Sequence, residues 1–225
     1  MSLKALVFDL DGTLADTDPL HRQAFADYLA PFGIEVTETF YQTKVSGRSN
    51  SDIFRDLFPS RTPAELGRMA DEKEARFRAL ATELRPAEGL LDLIRWAKSR
   101  DFRLAVVTNA PRANLQHMLE VLGLGETFDT LILSDELARG KPDPLPYLTA
   151  LDRLSVRPDE AIAFEDSSPG IRSAVGAGIK TVGLVTGNPA ADLLQAGASF
   201  VVNDFRDPSL WAVLESMLGQ GTPAS

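Results

Sequence analysis

The reading of the fold turns on Ala5-Leu6-Val7-Phe8-Asp9-Leu10-Asp11-Gly12-Thr13. Four apolar residues end at an aspartate and run into a turn sequence. A short apolar run bounded by turn signals reads as a strand buried on both faces. Working outward, similar runs recur at 103–107, 130–133, 161–164, 181–185 and 200–202. Apolar residues at helical spacing fill the intervals. They are Leu90, Leu91, Ile94 and Trp96–Ala97; Leu115, Met118, Leu119 and Leu122, ahead of Gly123; Leu145, Leu148 and Leu151; and Ile171 to Val175. Strands alternating with helices predict an α/β chain with a parallel sheet and helices on both faces.

One stretch breaks the alternation. Between about Asp16 and Leu84 no run reads as a strand. Leu20, Ala24 and Leu29 suggest one helix, and Ile53, Leu57 and Phe58 another that stops at Pro59. Residues 64–84 suggest a long charged helix, read as a solvated face. Ser49 or Ser51 is the expected cap of the second helix, after a turn at Gly47. The expected division is a core of residues 1–15 and 86–225 with a helical insert over 16–85, hinged near Leu14–Thr17 and Arg85–Gly89. The small, polar tail 219–225 is expected to fray.

Composition narrows the function. A formal net charge of −9 argues against a nucleic-acid or anionic-membrane surface, where Lys and Arg must dominate. The absence of cysteine excludes disulfide and thiolate chemistry. No signal peptide or membrane-spanning run is read, so a cytoplasmic protein is expected. The sequence leaves the oligomeric state open, a monomer being compatible with it.

Sites on parallel sheets form beyond the carboxyl ends of the strands. Four such segments carry chemistry: Asp9-Leu10-Asp11-Gly12-Thr13, Thr108-Asn109, Gly140-Lys141-Pro142-Asp143, and Glu165-Asp166-Ser167-Ser168-Pro169-Gly170. One carboxylate can attack a phosphoryl group. A second can protonate the leaving oxygen and then deprotonate water. Neighbouring carboxylates repel, and a hard cation such as magnesium relieves this. Lys141 can offset phosphate charge, Thr108 and Asn109 can donate to phosphate oxygens, and Gly12 allows close backbone approach.

Each piece alone has a plainer reading. Asp9–Asp11 could be a turn, Lys141 a solvated lysine, Glu165–Asp166 a helix cap, and Thr108–Asn109 a loop. A calcium loop fails because Leu20 stands where its last ligand, a glutamate, belongs. Gly176-x-Gly178 precedes a strand, which is the wrong context for a dinucleotide fingerprint. Independent turns do not deliver all four pieces, in this order, at strand ends.

Together the four pieces resemble the four motifs of the haloacid dehalogenase superfamily. The insert is similar to the cap of its β-phosphoglucomutase and phosphoglycolate phosphatase branch. The resemblance implies a Rossmann-like parallel core with an inserted α-helical cap domain. It implies Asp9 as nucleophile and Asp11 as general acid and base. Magnesium would be bound by Asp9, the Asp11 carbonyl and Asp166, with Glu165 nearby. Thr108, Asn109 and Lys141 would hold the phosphoryl group. A comparable cap loop in that branch carries basic residues over a sugar phosphate, which makes Lys44 and Arg48 expected substrate contacts. His21 reads either as a partner of Asp11 or the substrate, or as an exposed helix residue.

The expected partner is a small phosphorylated metabolite of sugar phosphate or phosphoglycolate type, hydrolysed through an aspartyl-phosphate. A sugar phosphomutase shares the first half-reaction and is the alternative. A carbon–halogen hydrolase needs no leaving-group acid, so Asp11 argues against it. A binding module without activity would have no use for the full set of groups.

Overall fold

The computed structural model describes residues 3–45 and 48–219. The turn expected at Gly47 and the tail 220–225 lie outside the described residues. The chain divides into two compact units, Thr17–Leu84 and Met1–Asp16 with Arg85–Ser225.

The first unit is helical. It contains α1 (Asp18–Leu29), a single turn α2 (Glu38–Phe40) that runs into a π-helical turn (Tyr41–Val45), α3 (Asn50–Leu57) and α4 (Pro63–Leu80). Ser49, of the two candidates, caps α3, accepting a hydrogen bond from the Asp52 amide at 3.2 Å. Thr62 caps α4 through a reciprocal box with Glu65, and Pro63 follows at the first helical position. A cap of this kind contributes about 1 kcal/mol. The core gathers Phe25, Tyr28, Leu29, Tyr41, Ile53, Phe54 and Met69, with the Tyr28 and Phe54 rings edge to face at 5.5 Å.

Two expectations are corrected here. The charged helix stops at Leu80, not Leu84: its cap residue Ala81 leaves the helical region at φ −82°, ψ 48°. Nor is that helix merely solvated: Lys73 and Glu74 are buried. They are tolerated because each meets the other and further polar partners, and burial is costly chiefly for groups left unmatched.

In the second unit the strands are β1 (Ala5–Phe8), β2 (Arg103–Thr108), β3 (Thr130–Leu133), β4 (Ala161–Glu165), β5 (Lys180–Leu184) and β6 (Phe200–Val202). They form one parallel sheet in the order β3-β2-β1-β4-β5-β6. Phe8 stands opposite Val106 on one side and Phe164 on the other. The remaining helices are α5 (Leu90–Lys98), α6 (Arg112–Val121), α7 (Leu145–Leu154), α8 (Ser168–Gly176), α9 (Ala190–Ala196) and α10 (Pro208–Gly219). The expected α/β architecture, a Rossmann-like parallel sheet, is therefore what the chain adopts. The last two helices were not legible from spacing.

Strand residues alternate between two buried layers, which is why the runs are apolar throughout. Ala5 and Val7 face Tyr147, Ala150, Leu151 and Ala174 from α7 and α8. Phe8 belongs to an aromatic layer, stacked on Phe164 at 5.0 Å and edge to face with Phe205 at 6.1 Å. Strand order reverses between β1 and β4, so the crevice at their carboxyl ends is the natural binding position in such a sheet. Among the described residues no helix is long and apolar enough to cross a membrane.

Candidate active site

Asp9 follows β1 directly, and its amide bonds the Phe164 carbonyl at 2.9 Å, which extends the sheet by one residue. Its side chain is thus fixed at the switch point. The chain then turns tightly, Leu14 N–H donating to the Leu10 carbonyl and Gly12 N–H to that of Ala15, both at 2.9 Å. Gly12 has φ +75°. A Cβ there would lie 2.2 Å from Asp166 Oδ2, so both the left-handed backbone and the contact exclude a side chain. Asp11 is half-buried in this turn.

Lys141 enters from the loop before α7. Its ammonium donates to Asp9 Oδ1 at 2.5 Å and to Glu165 Oε1 at 2.6 Å. Glu165, the last residue of β4, is fully buried. Its Oε1 also accepts from the Tyr147 hydroxyl at 2.8 Å, and its Oε2 from the Ser167 hydroxyl at 3.0 Å. Ser167 in turn caps α8, accepting from Gly170 N–H at 3.1 Å. That cap is therefore Ser167, not the acidic pair. A Cβ at Gly170 would fall 2.0 Å from the Glu165 carboxyl.

Oxygens of Asp9, Glu165 and Asp166 lie within 4.8 Å of one another. Such hard, anionic donors fit a magnesium ion and suit softer metals poorly. The electrostatics agree. Burial pushes the Asp9 carboxyl up to about 8; Lys141 opposes the rise, while Glu165 and Asp11 add to it. Burial pulls Lys141 down, but Asp9 and Glu165 outweigh it and hold the ammonium above its ordinary range. One buried cation cannot offset two ionised carboxylates, and Asp9 answers by holding its proton through neutral pH.

Thr108 is buried at the end of β2, where its hydroxyl oxygen accepts from the Ala110 amide at 2.9 Å, leaving the O–H free to donate. Asn109 is exposed. Its Oδ1 would stand 3.4 Å from a Cβ at Gly140, which places it beside the Lys141 loop. Asp9, Asp11, Gly12, Thr108, Asn109, Lys141, Glu165 and Asp166 all lie at the carboxyl ends of β1, β2 and β4 or on that loop.

The other three residues singled out from sequence belong to the helical unit. His21 is half-buried, not exposed: its ring stacks on Phe77 at 3.9 Å and Nδ1 lies 2.7 Å from Lys73 Nζ. Lys44 is exposed on the π-helical turn. Arg48 bonds within its own unit, to the Lys44 and Asp52 carbonyls and to Asp56 Oδ2 at 2.6 Å.

Sequence reasoning passed over the end of one further strand. After β5, the Thr186 hydroxyl donates to the Gly12 carbonyl at 2.7 Å and the Asn188 amide to the Asp166 carbonyl at 3.0 Å. This loop ties the two acidic loops together. The rule that selected the other four segments would have selected it too.

The family model for haloacid dehalogenase-like hydrolases matches residues 6–184. The chain is 32% identical over 206 residues to the phosphorylated carbohydrates phosphatase of Thermotoga maritima, covering 89% of this chain and 94% of that protein. A solved CbbY mutant from Rhodobacter sphaeroides in complex with xylulose-(1,5)bisphosphate matches with a TM-score of 0.79 at 30% identity, over 91% of this chain and 96% of that one. The β-phosphoglucomutase of Clostridium difficile matches with a TM-score of 0.82 at 25% identity, over 97% and 98%. With this match across most of its length, the chain belongs to the haloacid dehalogenase-like hydrolases, in the branch that contains phosphatases and β-phosphoglucomutases.

Proposed function

We propose that the protein is a magnesium-dependent phosphatase that hydrolyses a small phosphorylated metabolite, of sugar phosphate or phosphoglycolate type, through an aspartyl-phosphate on Asp9. The observation that carries the reading is the Asp9–Lys141–Glu165 cluster, with Asp166 beside it, at the β1/β4 switch point.

In the first step an Asp9 carboxylate oxygen attacks phosphorus, and the bond from phosphorus to the ester oxygen breaks. Asp11 gives its proton to that oxygen, so the alcohol leaves neutral. Lys141 offsets charge on the phosphoryl oxygens, and Thr108 and Asn109 donate hydrogen bonds to them. In the second step Asp11 takes a proton from water, the water oxygen attacks phosphorus, and the Asp9 carboxylate is released with inorganic phosphate. Asp9, Asp166 and the Asp11 carbonyl would hold the magnesium ion, with Glu165 close by. The ion supplies positive charge that lets these carboxylates and the phosphoryl group share one pocket.

The residues 16–85 act in this reading as a cap domain, with His21, Lys44 and Arg48 as the groups for the distal part of the substrate. A magnesium-supplemented panel of phosphorylated metabolites, scored by kcat/KM, tests the proposal; no turnover on any member overturns it. The similarity to a β-phosphoglucomutase supports a second reading, in which the phosphoryl group returns to the sugar. Product analysis with β-glucose 1-phosphate and a bisphosphate primer separates the two, since a mutase yields glucose 6-phosphate and little inorganic phosphate.

A further inference from the structure

We propose that Tyr147 is a positioning residue of this site: its hydroxyl pins the Glu165 carboxylate so that Lys141 stays shared with Asp9 instead of being drawn wholly onto Glu165. The inference rests on the phosphoryl-transfer reading above.

Tyr147 lies in the first turn of α7 and is fully buried in the layer formed by Val107, Ile132, Ala150 and Leu151. Packing there needs an aromatic ring, and phenylalanine would supply one. A buried hydroxyl costs free energy unless it is hydrogen-bonded. Here the O–H is aimed at Glu165 Oε1, 2.8 Å away. A bond to an ionised carboxylate is about twice as strong as one between neutral groups.

The rest of Glu165 is equally confined. Lys141 takes the same oxygen, the Ser167 hydroxyl takes the other, and Gly170 closes the remaining side. The carboxylate therefore has one orientation. Lys141 in turn spends two of its three N–H donors, on Asp9 and on Glu165, which leaves the third for a phosphoryl oxygen. Its ammonium also lies 5.5 Å from the Tyr147 ring centroid, within range of a cation–π attraction. The tyrosine thus touches both members of the pair from a rigid helix, without itself reaching the attacking oxygen.

Tyr147→Phe removes one oxygen atom and keeps the ring. Glu165 Oε1 is left with Lys141 as its single hydrogen-bond partner. That oxygen becomes a stronger acceptor, and the ammonium shifts toward it and away from Asp9. The expected result is a kcat lower by about tenfold, the scale of one such hydrogen bond, with KM nearly unchanged. Product inhibition by inorganic phosphate should weaken several-fold, because Lys141 is displaced. The thermal unfolding midpoint should stay close to wild type.

The experiment compares wild type and Tyr147→Phe with magnesium and the best ester from the metabolite panel. It measures kcat, KM and phosphate inhibition, with thermal unfolding of the same preparations. Wild-type kcat and unchanged phosphate inhibition in the variant overturn the inference and leave the phosphatase reading standing. A variant that no longer folds also overturns it, because the hydroxyl would then serve the fold and not the lysine. Absence of turnover by the wild-type protein overturns both.

Discussion

Two lysine side chains are buried among the described residues, one in each unit, and their settings differ in charge. Lys73, in the helical unit, pairs with a carboxylate: its ammonium lies 2.9 Å from Glu74 Oε1 and 2.7 Å from His21 Nδ1. Asn50 donates to the same Glu74 oxygen at 2.5 Å. Burial pulls the Glu74 carboxyl up, but Lys73, His21 and Asn50 outweigh it and hold it below its ordinary value. Lys141, in the α/β unit, meets two buried carboxylates with a third beside them, and Asp9 is pushed up to about 8. Both clusters contain a lysine in contact with carboxylate at under 3 Å. In the first, the carboxyl is held in its ionised form against the lysine. In the second, a carboxyl holds its proton against the neighbouring carboxylates, at a strand end, and a cation that displaced that proton would leave it ionised. The direction in which the carboxyl shifts, more than burial itself, separates a structural ion pair from a reactive one.

The comparison is broken most severely at Asp9. Asp9→Asn keeps the shape and removes the attacking oxygen, so magnesium-dependent turnover of p-nitrophenyl phosphate should fall on the order of a thousandfold or more. Near-normal turnover would remove the nucleophile assignment.

Next comes Lys73→Ala. Removing one partner of a buried ion pair strands the other, at a cost of about 3–5 kcal/mol. Urea unfolding should show that loss with or without magnesium. A change below about 1 kcal/mol would mean that the cluster is less matched than its geometry indicates.

The smallest effect is the dependence on pH, and it sharpens the contrast. The Asp9 carboxyl lies above its ordinary 3.8 in the folded protein, at about 8. Its contribution to the metal-free fold is therefore full at low pH and is lost as pH rises through about 8. Magnesium must displace that proton. The gain in thermal midpoint on adding magnesium should grow between about pH 6 and about pH 8. Glu74 runs the other way: its folded value is depressed, so its contribution is present at neutral pH and is lost as pH falls through the acid range. A magnesium gain that stays flat with pH would contradict the proton assigned to Asp9.

These two clusters also mark what a single sequence reveals. Six strands were legible because each is buried on both faces and so reads as an unbroken apolar run. Asp9, Lys141 and Glu165 could be singled out because each stands at or near the end of such a run or in a marked turn. Lys73 and Glu74 were hidden in a stretch so charged that a solvated helix was the simpler reading. What buries them is long-range: His21 and Asn50 lie 52 and 24 residues from their partners. Tyr147 was hidden for a related reason. Its ring fits the apolar pattern of α7, and nothing in that pattern registers a hydroxyl aimed at a residue 18 positions away. The last two helices lie in segments with weaker spacing, and nothing in the charged pattern marks the end of α4 at Leu80.

The most direct measurement is acid-quenched mass spectrometry of the protein during turnover of p-nitrophenyl phosphate with magnesium, followed by tryptic digestion. The account predicts a phosphoryl group on the peptide Ala5–Arg22, localised to Asp9 by fragmentation and absent from Asp9→Asn. A phosphoryl group on any other residue, or undiminished turnover by Asp9→Asn, would contradict it.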